Sequence, residues 1–285
     1  MLDVYFETKK EANTFSERLL VYNPTVEIHW KKRSEWGYRV LVSDMSHQHT
    51  DHIQKEFISK AMTDVFILHR EMNWIYDVIK KKYYYDNCDE IQRIADITQS
   101  IIAGEDIDLV HVFKNKKPRD SLLGIFRTNM KESVIHFQSI VNFRMQPYRK
   151  ELIDVIGLAI DEFKREEEYQ TFIHSLREYV SRKKMNGSVI HVLQGGDFTF
   201  FKENGEKYTS VELKRLIKKE PLYIVGLDDN ELNLTPILAM APKQIYIYGN
   251  DPTEPKTLTV QNIFEERMTF LPATDFPFNQ SFHTN

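Results

Sequence analysis

The most strongly patterned part of the chain is the stretch 148–183, YRKELIDVIGLAIDEFKREEEYQTFIHSLREYVSRK. Apolar residues recur there at intervals of three and four, which is the spacing of an amphipathic helix. They are Leu152, Ile153, Val155, Ile156, Ala159, Ile160, Phe163, Tyr169, Phe172, Ile173, Leu176, Tyr179 and Val180. The pattern predicts one long helix or two in series, with Asp161–Glu168 as a solvated face or a bend.

The segments before this stretch are also predicted to be largely helical. Apolar residues at helical spacing run through 121–146 until Pro147 interrupts them, and similar spacing covers most of 49–104. Between these two parts, Leu109–Phe113 is predicted as a short strand or turn. The middle of the chain is therefore expected to be helical.

The N-terminal residues predict a small β-α-β-β unit. Residues 2–7 are rich in strand formers, 9–21 have helical spacing, and Asn23-Pro24 breaks that helix. Two further strands are predicted at 25–31 and 36–43.

The C-terminal part predicts a mixed sheet with helices packed on it. Strands are expected at 189–193, 198–201, 221–225 and 245–248, and helices at 209–219 and 229–240. The first helix opens on a Thr209–Glu212 capping box. The order strand–helix–strand over 221–248 predicts a parallel pair with a right-handed crossover. One short helical stretch is expected near Ile263–Met268, and the last ten residues are expected to be loose.

These elements predict an α+β protein with three regions: a β-α-β-β unit at 1–46, a helical region at 47–185, and an α/β region at 186–285. The chain has 285 residues, 41% hydrophobic and 28% charged, which is enough to bury a core. No apolar run approaches the ~20 residues of a membrane span. With one cysteine, Cys88, and no recognisable signal peptide, the chain is expected to be cytoplasmic.

Composition also argues against common enzyme and nucleic-acid-binding classes. The chain has only 10 glycines and neither of the glycine-rich phosphate-binding motifs, so no nucleotide cofactor is expected. A net charge of −4 gives no overall attraction to nucleic acid. No cofactor of any kind is predicted.

Several segments of the C-terminal half resemble a known family. The residues concerned are Asn142-Phe143-Arg144, Tyr148, the acidic helix ending in Glu168-Tyr169, Phe172-Ile173, and Ala241-Pro242-Lys243 before the last strand. Together they resemble the YtxC-like family of sporulation proteins from Bacillus-type bacteria. The resemblance implies a cytoplasmic bacterial protein, and it supplies no catalytic residues.

One short motif is typical of a metal site. His47-Gln48-His49-Thr50-Asp51-His52 has the spelling of the metallo-β-lactamase-like hydrolases, in which His47, His49, Asp51 and His52 would bind two metal ions that activate water. However, the glycines that normally follow are absent, and the other histidines lie within helix or strand patterns. The competing interpretation is a polar loop with Ser46 or Thr50 capping a helix.

Two basic segments leave nucleic-acid binding open as an alternative. Lys80–Tyr85 places three lysines before three tyrosines, and Lys114–Arg119 is a basic loop. The simpler interpretations are a helix C-terminus with half-buried tyrosines and a solvated loop.

The remaining candidates favour structural roles. The carboxylates of Asp161–Glu168 are interpreted as a salt-bridged surface rather than a metal site. Phe143-Arg144 and Tyr148-Arg149 are interpreted first as a structural lock, with Glu166–Glu168 as a possible acidic partner, and second as a ligand site. His191 and Cys88 are expected to be structural.

The sequence therefore favours a non-enzymatic factor, associated with sporulation, that acts through contacts with a protein partner. The alternatives are a metal-dependent hydrolase at His47–His52 and a nucleic-acid-binding accessory protein.

Overall fold

A computed structural model describes residues 2–34, 37–44, 51–105, 118–130, 133–184, 187–228 and 231–278. The fold is α+β, as predicted. Its contacts group into two compact units, Met1–Arg165 and Glu166–Asn285, and the division falls within one long helix. The three regions predicted from the sequence, with boundaries near 46 and 185, stay a prediction about domains.

The first unit opens with the predicted β-α-β-β arrangement. Strand β1 is Leu2–Phe6, helix α1 is Lys9–Tyr22, and strands β2 and β3 are Val26–Ser34 and Gly37–Asp44. Helix α1 begins because Thr8 and Glu11 form a capping box, in which each side chain accepts a hydrogen bond from the other residue's backbone N–H. The sheet order is β2-β3-β1-β4, antiparallel except between β1 and β4.

The helices of the first unit follow in the predicted order. They are α2 (Asp51–Phe66), α3 (Met72–Lys81), α4 (Cys88–Ala103), α5 (Pro118–Thr128), α6 (Phe137–Arg144) and α7 (Gln146–Arg182). A π-helical turn at Ile67–Glu71, which was not predicted, joins α2 to α3. The predicted strand or turn at Leu109–Phe113 lies outside the described residues.

The helical pattern predicted through 121–146 is interrupted in the structure. Strand β4, Val134–His136, interrupts it and pairs in parallel with β1. Three residues are too few to show the alternation of a strand. The strand is stabilised by pairing with a segment that is distant in sequence, and local periodicity carries no information about such pairing. The predicted break next to Pro147 is present, because α6 ends at Arg144 and α7 begins at Gln146. Pro147 lies in the first turn of α7, where the missing N–H costs nothing.

The second unit contains a four-stranded mixed sheet. Its strands are β5 (Val189–Leu193), β6 (Thr199–Lys202), β7 (Gln244–Gly249) and β8 (Met268–Pro272), in the order β6-β5-β7-β8. The β5–β6 hairpin is antiparallel as predicted, whereas β5–β7 and β7–β8 are parallel. Helices α8 (Ser210–Ile217), α9 (Thr235–Met240) and α10 (Pro255–Phe264) belong to this unit.

Two predictions for this unit were wrong. Residues 221–225 form a single 3-10 turn, Leu222–Val225, instead of a strand, so the parallel partner of β7 is β5. Only Leu222 of that turn is buried, and Gly226 ends it in the left-handed conformation. In addition, the single short helical stretch expected near Ile263–Met268 is replaced by α10 and β8.

Each unit has its own core. The core of the first unit is an apolar cluster with residues from β1, α1, α2, α4 and the start of α7. The core of the second unit has residues from the end of α7 and from the second sheet. Among the described residues, no helix is both long enough and apolar enough to span a bilayer.

Candidate functional site

The π-helical turn directs three consecutive polar residues into the first unit. These are His69, Arg70 and Glu71, and such turns are frequent at functional sites. The Oγ1 of Thr14 lies 2.8 Å from the Nε2 of His69. Arg70 donates to Glu11, 2.6 Å from Nε to Oε1, and to Glu7 at 2.9 Å. This turn is thereby fastened to α1.

Glu71 is the most deeply buried of the three. Its carboxylate accepts a hydrogen bond from the hydroxyl of Tyr148, and Arg119 lies 3.9 Å away. Glu71 is 1% exposed and Tyr148 is fully buried. Burial raises the pKa of Glu71, although the Tyr148 hydrogen bond and the Arg119 charge act in the opposite direction. The pair is closed to substrate, so its role is to lock α7 to the π-helical turn.

Tyr148 thus makes a structural contact, and its acidic partner is Glu71. The acidic partner predicted for the arginines, Glu166–Glu168, stays a prediction. The guanidinium of Arg149 lies 5.8 Å from the centre of the Trp74 ring, a cation–π contact. Sequence spacing gave no signal for Glu71, because 77 residues separate it from Tyr148.

Phe143 and Arg144 lie on the surface instead. Helix α6 buries Phe137, Ile140 and Val141 and leaves Phe143 with 75% of its area exposed. A single exposed apolar residue is ordinary, but this one borders a groove of about 580 Å³ beside strand β4. We call it the β4 groove; it is lined by Thr128, Asn129, Val134, Ile135, His136, Ser139, Ile140, Phe143 and Arg144.

The β4 groove combines apolar and hydrogen-bonding groups. Val134 is 39% exposed, and β4 is the last strand of its sheet among the described residues. An outer strand presents backbone N–H and C=O groups that an extended peptide can pair with. Arg144 and His136 are the titratable residues of the described lining, and none of the lining residues that the structure describes is acidic. The groove fits a segment that carries apolar and acidic side chains.

The centre of the predicted metal site lies outside the described residues. His47 and His49 lie outside the described residues, and Asp51 and His52 form the first turn of α2, where the side chains are not described. Among the side chains that are described, no group of three or more His, Cys, Asp or Glu residues is placed to hold a metal ion. The metal-dependent hydrolase stays a prediction without support from the rest of the structure.

The basic segments do not form a stacking surface in the part that is described. Lys80 and Lys81 end α3, the hydroxyl of Tyr83 donates to Ile153 O, and Tyr85 packs edge-on against Phe163. Only Tyr84, at 84% exposure, is left as a free ring among the three tyrosines. Of Lys114–Arg119, residues 114–117 lie outside the described residues.

The acidic run and His191 have structural contacts, whereas Cys88 lies at the surface. Arg165 pairs with Glu162 on the same face of α7. The Nδ1 of His191 lies 2.9 Å from the hydroxyl of Tyr248, and burial lowers the pKa of His191. Cys88 is exposed at the first residue of α4.

The crevice at the carboxyl ends of parallel strands, a common ligand site, is filled by the protein itself. The amide of Gln194 donates to Asp251 O at 2.7 Å and to Thr257 Oγ1 at 2.9 Å, and it accepts from two backbone N–H groups of the β7–α10 loop. Gly249 is required there, because a Cβ atom would overlap the Gln194 amide.

Comparison with known proteins gives one family and one curated relative. The model of the YtxC-like family matches residues 56–269, a range that includes the β4 groove, Glu71 and Tyr148. A Bacillus subtilis (strain 168) protein named "Uncharacterized protein YtxC" is 31% identical over 227 residues, covering 78% of this chain and 79% of the relative. No solved structure shows significant similarity.

Proposed function

This chain belongs to the YtxC-like family, and we propose that it is a non-catalytic cytoplasmic factor that binds a protein partner through the β4 groove. The observation that carries the proposal is the exposure of Phe143 beside this groove, at the outer edge of the first sheet. An aromatic side chain exposed at the rim of a groove is a common anchor in protein interfaces.

The groove favours a particular kind of partner segment. Its volume is within the ~300–1,000 Å³ of ordinary binding pockets, and its polar groups come from Asn129, Ser139 and the edge of β4. An extended segment would add to β4 through its backbone and place an apolar side chain against Phe143 and Val134. Arg144 would pair with an acidic residue of that segment.

Loss of the anchor tests this proposal. Phe143→Ser is expected to weaken partner binding by about thirtyfold and to reduce the amount that co-purifies, since hot-spot aromatics contribute about 2 kcal/mol or more. The matched control is Val21→Ser, which removes an apolar residue of the same unit that is 70% exposed but lies in α1. Equal recovery with both variants would contradict the proposal.

We further propose that this contact serves sporulation, as the family resemblance implies. Expression of the chain in Bacillus subtilis cells that lack their own relative is expected to restore spore formation if that relative contributes to it. The Phe143→Ser variant should fail to restore it at equal protein level. Full restoration of spore formation by this variant would show that the β4 groove is not needed for sporulation.

A further inference from the structure

A second surface lies in the other unit and has a different chemistry. The 3-10 turn Leu222–Val225 holds Leu222 in the core and leaves its two neighbours outside. Tyr223 is 75% exposed and Ile224 is 68% exposed. The backbone forces this arrangement, because Ile224 N bonds to Pro221 O and Gly226 N bonds to Tyr223 O, closing the turn.

Four cations stand just before this apolar pair. Lys214, Arg215, Lys218 and Lys219 are all exposed. The chain between Lys219 and Tyr223 spans at most ~14 Å even if fully extended, and the turns at 217–224 shorten it. Lys218 and Lys219 therefore face solvent close to the apolar pair. Their separation from it is about one or two Debye lengths at ~0.1 M salt.

The acidic side chains of the same segment are already paired. Glu212 caps α8 through Thr209 and contacts Lys202 at 3.2 Å. Glu220 contacts Lys183 at 2.9 Å and accepts from Tyr179 at 2.8 Å. Both carboxylates between Ser210 and Gly226 are thus paired, and no ion pair among the described residues involves the four cations. We call residues 214–224 the basic–apolar patch.

We propose that the basic–apolar patch docks this protein on an anionic lipid surface. Two adjacent apolar side chains that both project outward suit shallow insertion between headgroups, and tyrosine favours the membrane interface. Lysine and arginine near an anionic leaflet are attracted to it, and their long stems allow the charges to reach lipid phosphates. This surface is separate from the β4 groove, so one site can fail without the other.

The test is sedimentation of the full-length protein with vesicles. At low ionic strength, we expect the protein to co-sediment with vesicles of phosphatidylcholine that contain one third phosphatidylglycerol. It should stay in the supernatant with vesicles of phosphatidylcholine alone. Binding to the anionic vesicles should fall steeply on raising salt from about 0.05 M to 0.5 M, because the Debye length shortens to a few ångströms.

Two variants separate the charged and the apolar contributions. Lys218→Gln/Lys219→Gln and Tyr223→Ser/Ile224→Ser should each weaken binding on the order of tenfold. The matched controls are Lys9→Gln/Lys10→Gln and Leu20→Ser/Val21→Ser, which remove exposed cations and exposed apolar residues of α1, and these should bind as the parent does. Circular dichroism and urea unfolding would verify that all four variants are folded.

Three outcomes would overturn the proposal. One is no retention by anionic vesicles at low salt, and another is an equal loss of binding in the control variants. The third is that the protein binds soluble poly-glutamate but not vesicles, and that this binding is lost in the patch variants. That result would assign the surface to an acidic protein instead.

Discussion

Glu71 is a single side chain that holds together the central helices of the first unit. Its carboxylate is 1% exposed and bonded to the buried hydroxyl of Tyr148, so α7 is tied to the π-helical turn. A buried acid without this donor would be costly, by ~1–3 kcal/mol for the lost hydrogen bond. Its burial indicates a structural role, and it leaves the surface residue Phe143 as the candidate for recognition.

The raised pKa of Glu71 predicts a pH dependence of stability. In the folded state the carboxyl keeps its proton to higher pH than in the unfolded state, where it titrates near ~4.3. Its contribution to stability is therefore fully present below that value and is lost as pH rises through the folded-state pKa. The Glu71→Gln variant lacks this titration while keeping an oxygen that can accept from Tyr148.

The measurement is urea unfolding of the parent and of Glu71→Gln between pH 4 and pH 8. The free energy of unfolding of the parent should decline relative to that of the variant as pH increases. A difference that stays constant over this range, or one that changes in the opposite direction, would refute the interpretation of Glu71.

At the scale of elements, the sequence predicted the helices and strands that have a clear residue pattern within their own segment. Apolar periodicity identified α1, α4 and α7, and a capping box identified α8. Alternation or a hairpin turn identified β1, β5 and β6. Strand β4 and the turn Leu222–Val225 could not be predicted in this way. The first exists because β1 pairs with it, and the second is apolar in composition but faces solvent.

Two glycines of the first unit are expected to respond in opposite directions to the same substitution. Gly37 has φ +103° at the β2–β3 hairpin, and a Cβ there would collide with the carbonyl oxygen of Phe6. Gly37→Ala should therefore destabilise the protein by more than about 1 kcal/mol. Gly124 lies inside α5 with nothing within 4 Å of its Cβ position, so Gly124→Ala should stabilise by roughly 0.5–1 kcal/mol.

Thermal or urea unfolding of both variants checks this pair. Stabilisation by Gly37→Ala, or destabilisation by Gly124→Ala, would show that the hairpin or the helix is not formed as described.

At the scale of the molecule, each unit has a hydrophobic core built from its own set of residues. Ile75 and Ile94 belong to the first, while Leu238 and Ile247 belong to the second. The composition predicted enough apolar residues for a core, but it could not say that they divide into two units or that Phe143 stays outside both. Exposure of that residue is a property of the assembled unit, which is why the motif Asn142-Phe143-Arg144 was interpreted first as a lock.

The division into two cores predicts local effects of core mutations. Ile75→Ala and Leu238→Ala each remove a fully buried side chain, at a cost of about 2–5 kcal/mol. Native-state hydrogen exchange should show the loss of protection mainly in the unit that carries the substitution. Equal loss in both units from either variant would show that they unfold as one.

The central claim is that the β4 groove receives a protein partner, and photo-crosslinking from position 143 tests it most directly. A photoreactive phenylalanine analogue at position 143, in cells of a sporulating Bacillus host, is expected to yield a discrete crosslinked species of defined mass. The same analogue at Val21, which is similarly exposed, should not yield that species. Crosslinks at position 143 no different from those at position 21 would contradict the claim.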